Sequence, residues 1–278
     1  MKVISGEGAM NNEKLRETWD GIAEHHAARK RSSSQDLVST LYEKSWWKHI
    51  EPLLAHIIGG RILEAGCGVG RWVDKLAPMG FEMVLSDFSP NMLQKARESV
   101  EENGHADRVT FEVADICDLG CLESDSFHMA VATGEPVTLC GNAPQAISEL
   151  CRVVRPGGYV LCDASNRYRQ AYDLFREGSS ESVLQVLETG KYVNSKGLTV
   201  HLLGPDELAA VFKEQGMELL TVAGITPLFT FPPSQELKNA VQDPEVYQML
   251  EAVDEKFAQD SGLVHLSSRL IAVARKSE

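Results

Sequence analysis

The stretch "RILEAGCGVGRW", Arg61 to Trp72, decides the fold. An apolar run meets an acid at Glu64, and Gly66, Gly68 and Gly70 then alternate with other residues before a helical pattern begins. A strand entering such a loop makes a tight strand-to-helix turn. There the missing side chains let backbone N–H groups and the helix N-terminus approach a ligand. The spacing is G-x-G-x-G, whereas a dinucleotide fingerprint asks for glycine or alanine one position later. Arg71 stands at that place, where its bulk would crowd close helix–strand packing.

Working outward, short apolar runs alternate with helical patterns, the signature of successive strand–helix units. "GRWVDKLAPMG" reads as a short helix stopped by Pro78 and Gly80. "EMVLSD" is the second strand and ends in Asp87, about 20 residues beyond the first glycine, where a carboxylate can accept hydrogen bonds from both hydroxyls of a ribose. The best-marked helix is "SPNMLQKARESVEENG", with Ser89 as N-cap, Pro90 in the first turn and Gly104 beyond its end. "VTFEVAD", "FHMAVAT" and "GYVLCDAS" supply three more strands, and the helix "NAPQAISELCRVV" leads into a turn, "RPGG". After the helix "GPDELAAVFKEQG", the strands "MELLTVAGI" and "SSRLIAVARK" bring the count to seven.

The chain has 278 residues, 43% hydrophobic and 24% charged, a composition that suits one globular domain with additions and a substantial core. Its 27 lysines and arginines stand against 40 acids, for a formal charge of -13, so a nucleic-acid partner is not expected. The cysteines, Cys67, Cys117, Cys121, Cys140, Cys151 and Cys162, lack the paired spacing of a structural zinc site; they read as thiols in a reducing compartment, with no metal. A polar N-terminus and the lack of any apolar run of spanning length lead to the expectation of a cytoplasmic protein with no membrane partner.

Several motifs in order make residues 58 to about 165 similar to the class I S-adenosylmethionine-dependent methyltransferases. "LEAGCGVGR" resembles their first motif, "VLSDFSPNMLQKAR" the segment after it, "VADICDL" the adenine-binding stretch, and "ELCRVVRPGGYVLC" the helix–turn–strand that closes the core. The resemblance implies an α/β, Rossmann-like mixed sheet of seven strands in the order 3-2-1-4-5-7-6, with helices on both faces. It further implies S-adenosylmethionine as cofactor and S-adenosylhomocysteine as product. By the same resemblance Glu64 lies near the methionine amino group, Gly66, Gly68 and Gly70 beside the cofactor, and Asp87 on the ribose hydroxyls. Asp115 lies near the adenine amino group, Ile116 against the base and Phe88 on its other face. Each has a plainer reading: Asp115 as the cap of a turn, Phe88 and Ile116 as core residues.

Four parts follow: a helical lid over 1–58, the cofactor-binding core over 59–165, an insertion after strand 5 over 166–204 that could cap the substrate, and the rest of the core over 205–278. The plainer alternative is that both additions only cover apolar edges of the sheet. "TWDGIAEHHAARK" resembles a lid segment of small-molecule methyltransferases, with Trp19 as its first aromatic and His26 in the place of its tyrosine. His26 and Glu135 are the catalytic candidates, since a protonated amine or alcohol nucleophile must lose a proton. Thr138, Arg167 and Tyr168 are the substrate-binding candidates. Trp46 and Trp47 read as packing residues, and His201 as a strand residue with a satisfied hydrogen bond. The expected function is transfer of a methyl group to an N, O or S atom of a small molecule by in-line displacement. A peptide or modified tRNA base as acceptor, and a non-catalytic cofactor-binding module of the same fold, are the alternatives. A nicotinamide-dependent oxidoreductase is disfavoured by Arg71 and by the later motifs.

Overall fold

The computed structural model describes residues 5–32, 37–225 and 243–278. Residues 1–4 and 33–36 of the expected lid, and 226–242 of the expected C-terminal part, lie outside the described residues. Two helices come first, α1 (Ser5–Ser32) and α2 (Leu37–Leu54). The alternation then runs β1 (Arg61–Ala65), α3 (Val73–Leu76), β2 (Glu82–Asp87), α4 (Pro90–Glu102), β3 (Val109–Val113) and β4 (Phe127–Ala132). A one-turn helix α5 (Pro136–Leu139), α6 (Ala143–Val153) and the long strand β5 (Val154–Ser165) follow. The insertion contributes α7 (Arg167–Arg176), α8 (Ser180–Thr189) and a small hairpin of β6 (Lys191–Val193) and β7 (Thr199–His201). The described chain ends with α9 (Pro205–Glu214), β8 (Met217–Ile225), α10 (Pro244–Phe257), α11 (Ser261–Leu266) and β9 (Arg269–Lys276).

The large sheet has seven strands in the order β3-β2-β1-β4-β5-β9-β8. With the separate hairpin set aside, β8 and β9 are its sixth and seventh strands, so this is the expected 3-2-1-4-5-7-6 arrangement. Strands β1 to β5 pair in parallel, and β9 runs antiparallel to both β5 and β8. One boundary differs from the sequence reading. The expected "RPGG" turn is taken up inside β5, which already pairs at Val154 with Phe127; Gly157 adopts φ +76 and the β4–β5 register shifts between Phe127 and Met129.

Both faces of the parallel strands are covered, which is why they are apolar at consecutive positions. Along β1, Leu63 joins one core with α6 and α9, through Ile147, Leu150, Leu208 and Phe212. Its neighbour Ile62 joins the other, with Trp46 and Ile50 of α2, Leu76 of α3 and Ala96 of α4. Trp46, Ile50 and Leu54 form one buried stripe, each repeat four residues on, so α2 does cover an apolar face of the sheet. Burying Ile50 or Leu54 contributes about 1.5–3 kcal/mol relative to exposure. Helix α1 lies on α4, burying Ala23 and Ala27. The insertion carries a small core of its own, Ala171, Leu174, Val186 and Leu202. No described helix is long and apolar enough to cross a membrane.

Candidate active site

A cavity of about 580 Å³ opens at the carboxyl ends of β1, β2 and β4, a volume within the range of small-molecule sites. At one end the sheet supplies two acids. Asp87, the last residue of β2, accepts the backbone N–H of Gly68 at 2.8 Å and of Ser89 at 2.9 Å. Burial nevertheless pushes its pKa up to about 6, because two hydrogen bonds do not make up for lost water. Asp115 accepts the N–H of Cys117 at 2.9 Å, the expected turn cap, and lines the cavity as well. Phe88 and Ile116 line the same end; the guanidinium of Arg16 stands 4.6 Å over the Phe88 ring.

The loop glycines divide by role. At Gly66, φ +65, an added Cβ would meet Cβ of Pro136 at 2.4 Å, so this glycine lets α5 approach the strand end. At Gly70 the nearest neighbours are core atoms of Leu85 and Val73, and it does not line the cavity. Gly68, φ +54, lines the cavity with nothing within 4 Å of an added Cβ. It is therefore the position where a ligand can approach the backbone. An open Gly68 beside an ionisable Asp87 and the wall formed by Asp115 and Ile116 fits a nucleoside. Glu64 lies beneath the loop, 3% exposed and outside the cavity lining. Its oxygens accept the N–H groups of Arg71 (2.9 Å) and Trp72 (3.3 Å), donors that the start of α3 would otherwise leave unpaired. Burial pushes its pKa up to about 7.

At the other end Glu135 follows β4 in a left-handed conformation, φ 73, beside Gly134 at φ 94. Its N–H donates to Asp163 of β5 at 2.8 Å. Its carboxylate accepts hydrogen bonds from the Ser165 hydroxyl and from the guanidinium of Arg269. Asp163 is fully buried, 3.6 Å from the same guanidinium, and burial pushes its pKa up to about 6. Burial works against the charge of Arg269, but Glu135 and Asp163 outweigh it and raise its pKa. Holding a non-glycine residue at positive φ costs of order 1–3 kcal/mol. Both Asp163 and Arg269 help fix it there.

Helix α1 roofs this end, and the insertion touches α1. Trp19 and His26 line the cavity with rings edge to face, centroids 5.8 Å apart. Lys196, in the turn of the β6–β7 hairpin, stands 5.4 Å over Trp19. The pKa of His26 is lowered, first by burial and then by Arg29, His25, Arg71 and Lys196.

Three expected substrate contacts lie outside the cavity lining. Thr138 is 2% exposed and its hydroxyl accepts the Ser165 N–H at 2.8 Å, tying α5 to the end of β5. Arg167 pairs with Glu207 of α9 at 2.5 Å. Tyr168 packs on Gly204 and against the His265 ring, 5.7 Å away. Thr138 and Arg167 join α5 and the insertion to the core, while Tyr168 stays 42% exposed. His201 accepts the Ala143 N–H at 3.3 Å, and Trp47 stacks on Trp72 with centroids 5.9 Å apart, as their plainer readings had it. The cavity instead includes Tyr42, Arg71 and Arg269, which sequence reasoning did not assign to it. Arg71 could have been found from its place beside the glycine loop. Arg269 carries no local signal, being brought in by the antiparallel β9. Among the described residues no cluster of His, Cys, Asp and Glu could hold a metal ion, and all six cysteines are free thiols.

Fold and cavity together define a protein that binds a nucleoside-bearing cofactor at the switch point of an α/β sheet. Residues 62–158 match the model of a methyltransferase domain. A ubiquinone biosynthesis O-methyltransferase of Thiobacillus denitrificans is 27% identical over 62% of this chain and 70% of that protein. A demethylmenaquinone methyltransferase of Clavibacter sepedonicus is 30% identical over 57% of this chain and 66% of that protein. In fold, the crystal structure of a putative S-adenosylmethionine-dependent methyltransferase from Listeria monocytogenes is similar, with TM-score 0.61 and 15% identity over 86% of this chain and all of that one. The matched domain, residues 62–158, is that of a class I S-adenosylmethionine-dependent methyltransferase.

Proposed function

We propose that this methyltransferase moves a methyl group to an N, O or S atom of a small molecule, held between the sheet and the roof. The observation that carries this reading is the roof itself. Trp19 and His26 of α1 line the same cavity as Glu135, and the hairpin turn of the insertion meets α1 where Lys196 stands over Trp19, so the acceptor space lies beneath α1 and suits a small molecule. The relatives that act in quinone biosynthesis support a small acceptor. Free cysteines throughout agree with a reducing, cytoplasmic setting.

When bound, S-adenosylmethionine supplies an activated methyl on a sulfonium that is its own leaving group, so the protein's task is chiefly placement. Asp87 would accept hydrogen bonds from the ribose hydroxyls, Gly68 would let the cofactor lie against the loop, and Asp115 and Ile116 would border the base. His26 is the proton acceptor in this reading: burial and neighbouring cations favour its neutral form, leaving a ring nitrogen able to take a proton near neutral pH. Glu135, fixed by Arg269 and Ser165, would orient the acceptor's N–H or O–H toward the reacting methyl.

The test is a screen of small acceptors with methyl-labelled cofactor, followed by mass spectrometry of products. His26→Ala should keep S-adenosylhomocysteine binding and lose about 10²–10⁴-fold in turnover of an amine or alcohol acceptor. Should that variant retain both turnover and acceptor affinity, His26 has no part in the site.

A further inference from the structure

The chain as a whole carries a formal charge of -13, yet the chamber beneath the roof is lined by cations. Arg29, Lys30, Arg71, Lys75 and Arg269 border it, and Lys196 of the hairpin stands over Trp19 in its wall. The acids of the lining match them in number, Asp87 and Asp115 at the nucleoside end and Asp74, Glu135 and Glu43 nearer α1. Asp74 is held by Lys30 at 2.9 Å, Glu135 is bound by Arg269, and Asp163 lies buried behind that arginine. Glu43 is left to Arg71, at 3.4 Å and through Nη1 alone. The second arm of the Arg71 fork turns toward the end of β4, where Nη2 would lie 3.5 Å from a Cβ built on Gly134. The guanidinium is laid over the Trp46 ring at 4.7 Å, so its orientation is set before any ligand arrives. Trp46 lines the cavity, is 2% exposed, and its buried indole N–H has no hydrogen-bond partner. Tyr42 and Trp19 add flat apolar surface.

Resting on the small-molecule reading above, we propose that the methyl acceptor is an organic acid with a planar or apolar body, its carboxylate gripped by Arg71 and its body lying against Trp46, Tyr42 and Trp19. A stacked arginine with one arm open matches a planar oxyanion in geometry as well as charge. That open arm selects an anion over the neutral and cationic metabolites that share such a body. The methionine carboxylate of the cofactor is the one other source of the same chemistry, and the experiment separates the two.

Protein saturated with S-adenosylhomocysteine is titrated calorimetrically with benzoate and with its neutral counterpart benzamide. Benzoate should bind at least about tenfold more tightly, and Arg71→Gln should lower its affinity about tenfold while changing that of S-adenosylhomocysteine less than about threefold. Lys196→Ala, on the exposed hairpin turn, is a second variant that does not touch the core; it should weaken benzoate about threefold by reducing the local field. Equal binding of the two probes, or none of either, overturns the proposal. So does a loss in Arg71→Gln that falls on S-adenosylhomocysteine but spares methylthioadenosine, which lacks the amino-acid carboxylate; Arg71 would then serve the cofactor. Wild-type protein that binds no S-adenosylhomocysteine at all would remove the cofactor reading itself, a distinct failure.

Discussion

Asp87 shows how a single residue can be costly to the fold and useful to the ligand. Its folded pKa of about 6 lies above the ordinary 3.8, so between those values the folded protein binds more protons than the unfolded chain. Stability from this group is therefore lost as pH rises through that window, and Asp163 acts in the same direction. Replacing the charge should relieve the cost: Asp87→Asn is expected to raise the stability of the ligand-free protein at pH 7–8 by on the order of 1 kcal/mol, measured by urea unfolding. Ligand binding runs the other way, because ribose hydroxyls donate to the ionised carboxylate. S-adenosylhomocysteine affinity should fall below about pH 6, by up to about tenfold per pH unit, in calorimetric titrations from pH 5 to 8. Asp87→Ala should remove about 1.5–3 kcal/mol of binding at pH 7.5. A flat pH profile, or unchanged affinity in the alanine variant, would take Asp87 out of the site. This residue was legible in the sequence because few structural reasons place an acid at the end of an apolar strand beside a glycine loop. For Glu64, an equally conspicuous acid, nothing in "LEAG" tells that its carboxylate accepts the N–H groups of Arg71 and Trp72.

At the scale of elements, α4 is the clearest case of local sequence dictating structure. Ser89 accepts the Met92 N–H at 3.1 Å, Pro90 opens the helix, and Met92, Leu93, Ala96 and Val100 form the buried stripe. What the sequence concealed is the second bond of that cap. The Ser89 hydroxyl donates to Asp20, which also accepts the Asn91 N–H at 3.1 Å, so α1 is clasped to the start of α4 by one carboxylate. Ser89→Ala should cost about 0.5–2 kcal/mol in urea unfolding through the lost cap. Asp20→Ala should leave α4 formed but free the lid, and stopped-flow displacement of S-adenosylhomocysteine should show dissociation about tenfold faster. An unchanged rate would mean that α1 does not gate the cavity. Thr138 and Arg167 were offered to a substrate for a related reason. Their residue types suit recognition, but the junctions of α5 and of the insertion with the core use the same chemistry.

The molecule as a whole is arranged by two long-range closures. Strand β9 enters antiparallel between β5 and β8, and its first residue, Arg269, arrives beside Glu135 across 134 positions of chain. The hairpin turn meets α1 in the same way, Lys196 on Trp19. Trp19→Ala removes that contact from a half-exposed position. It should lower the melting temperature by no more than about 4 °C while raising the Kd for S-adenosylhomocysteine several-fold, read in the same thermal and calorimetric runs. A large fall in melting temperature with unaltered binding would make the roof a structural brace alone.

The sequence by itself determined the alternation of strands and helices, the glycine loop, the acid at the end of β2 and the boundaries of α4. Each of these rests on interactions within a few residues, where periodicity, capping and turn chemistry act. Only the tertiary structure decided which side chains face one another over the loop. It turned Glu64 inward, drew Thr138 and Arg167 into junctions, and brought Arg71, Tyr42 and Arg269 into one chamber. Such choices depend on where strands and helices distant in sequence come to lie. A side chain's local pattern is the same whether it ends in a cavity or against a neighbouring helix.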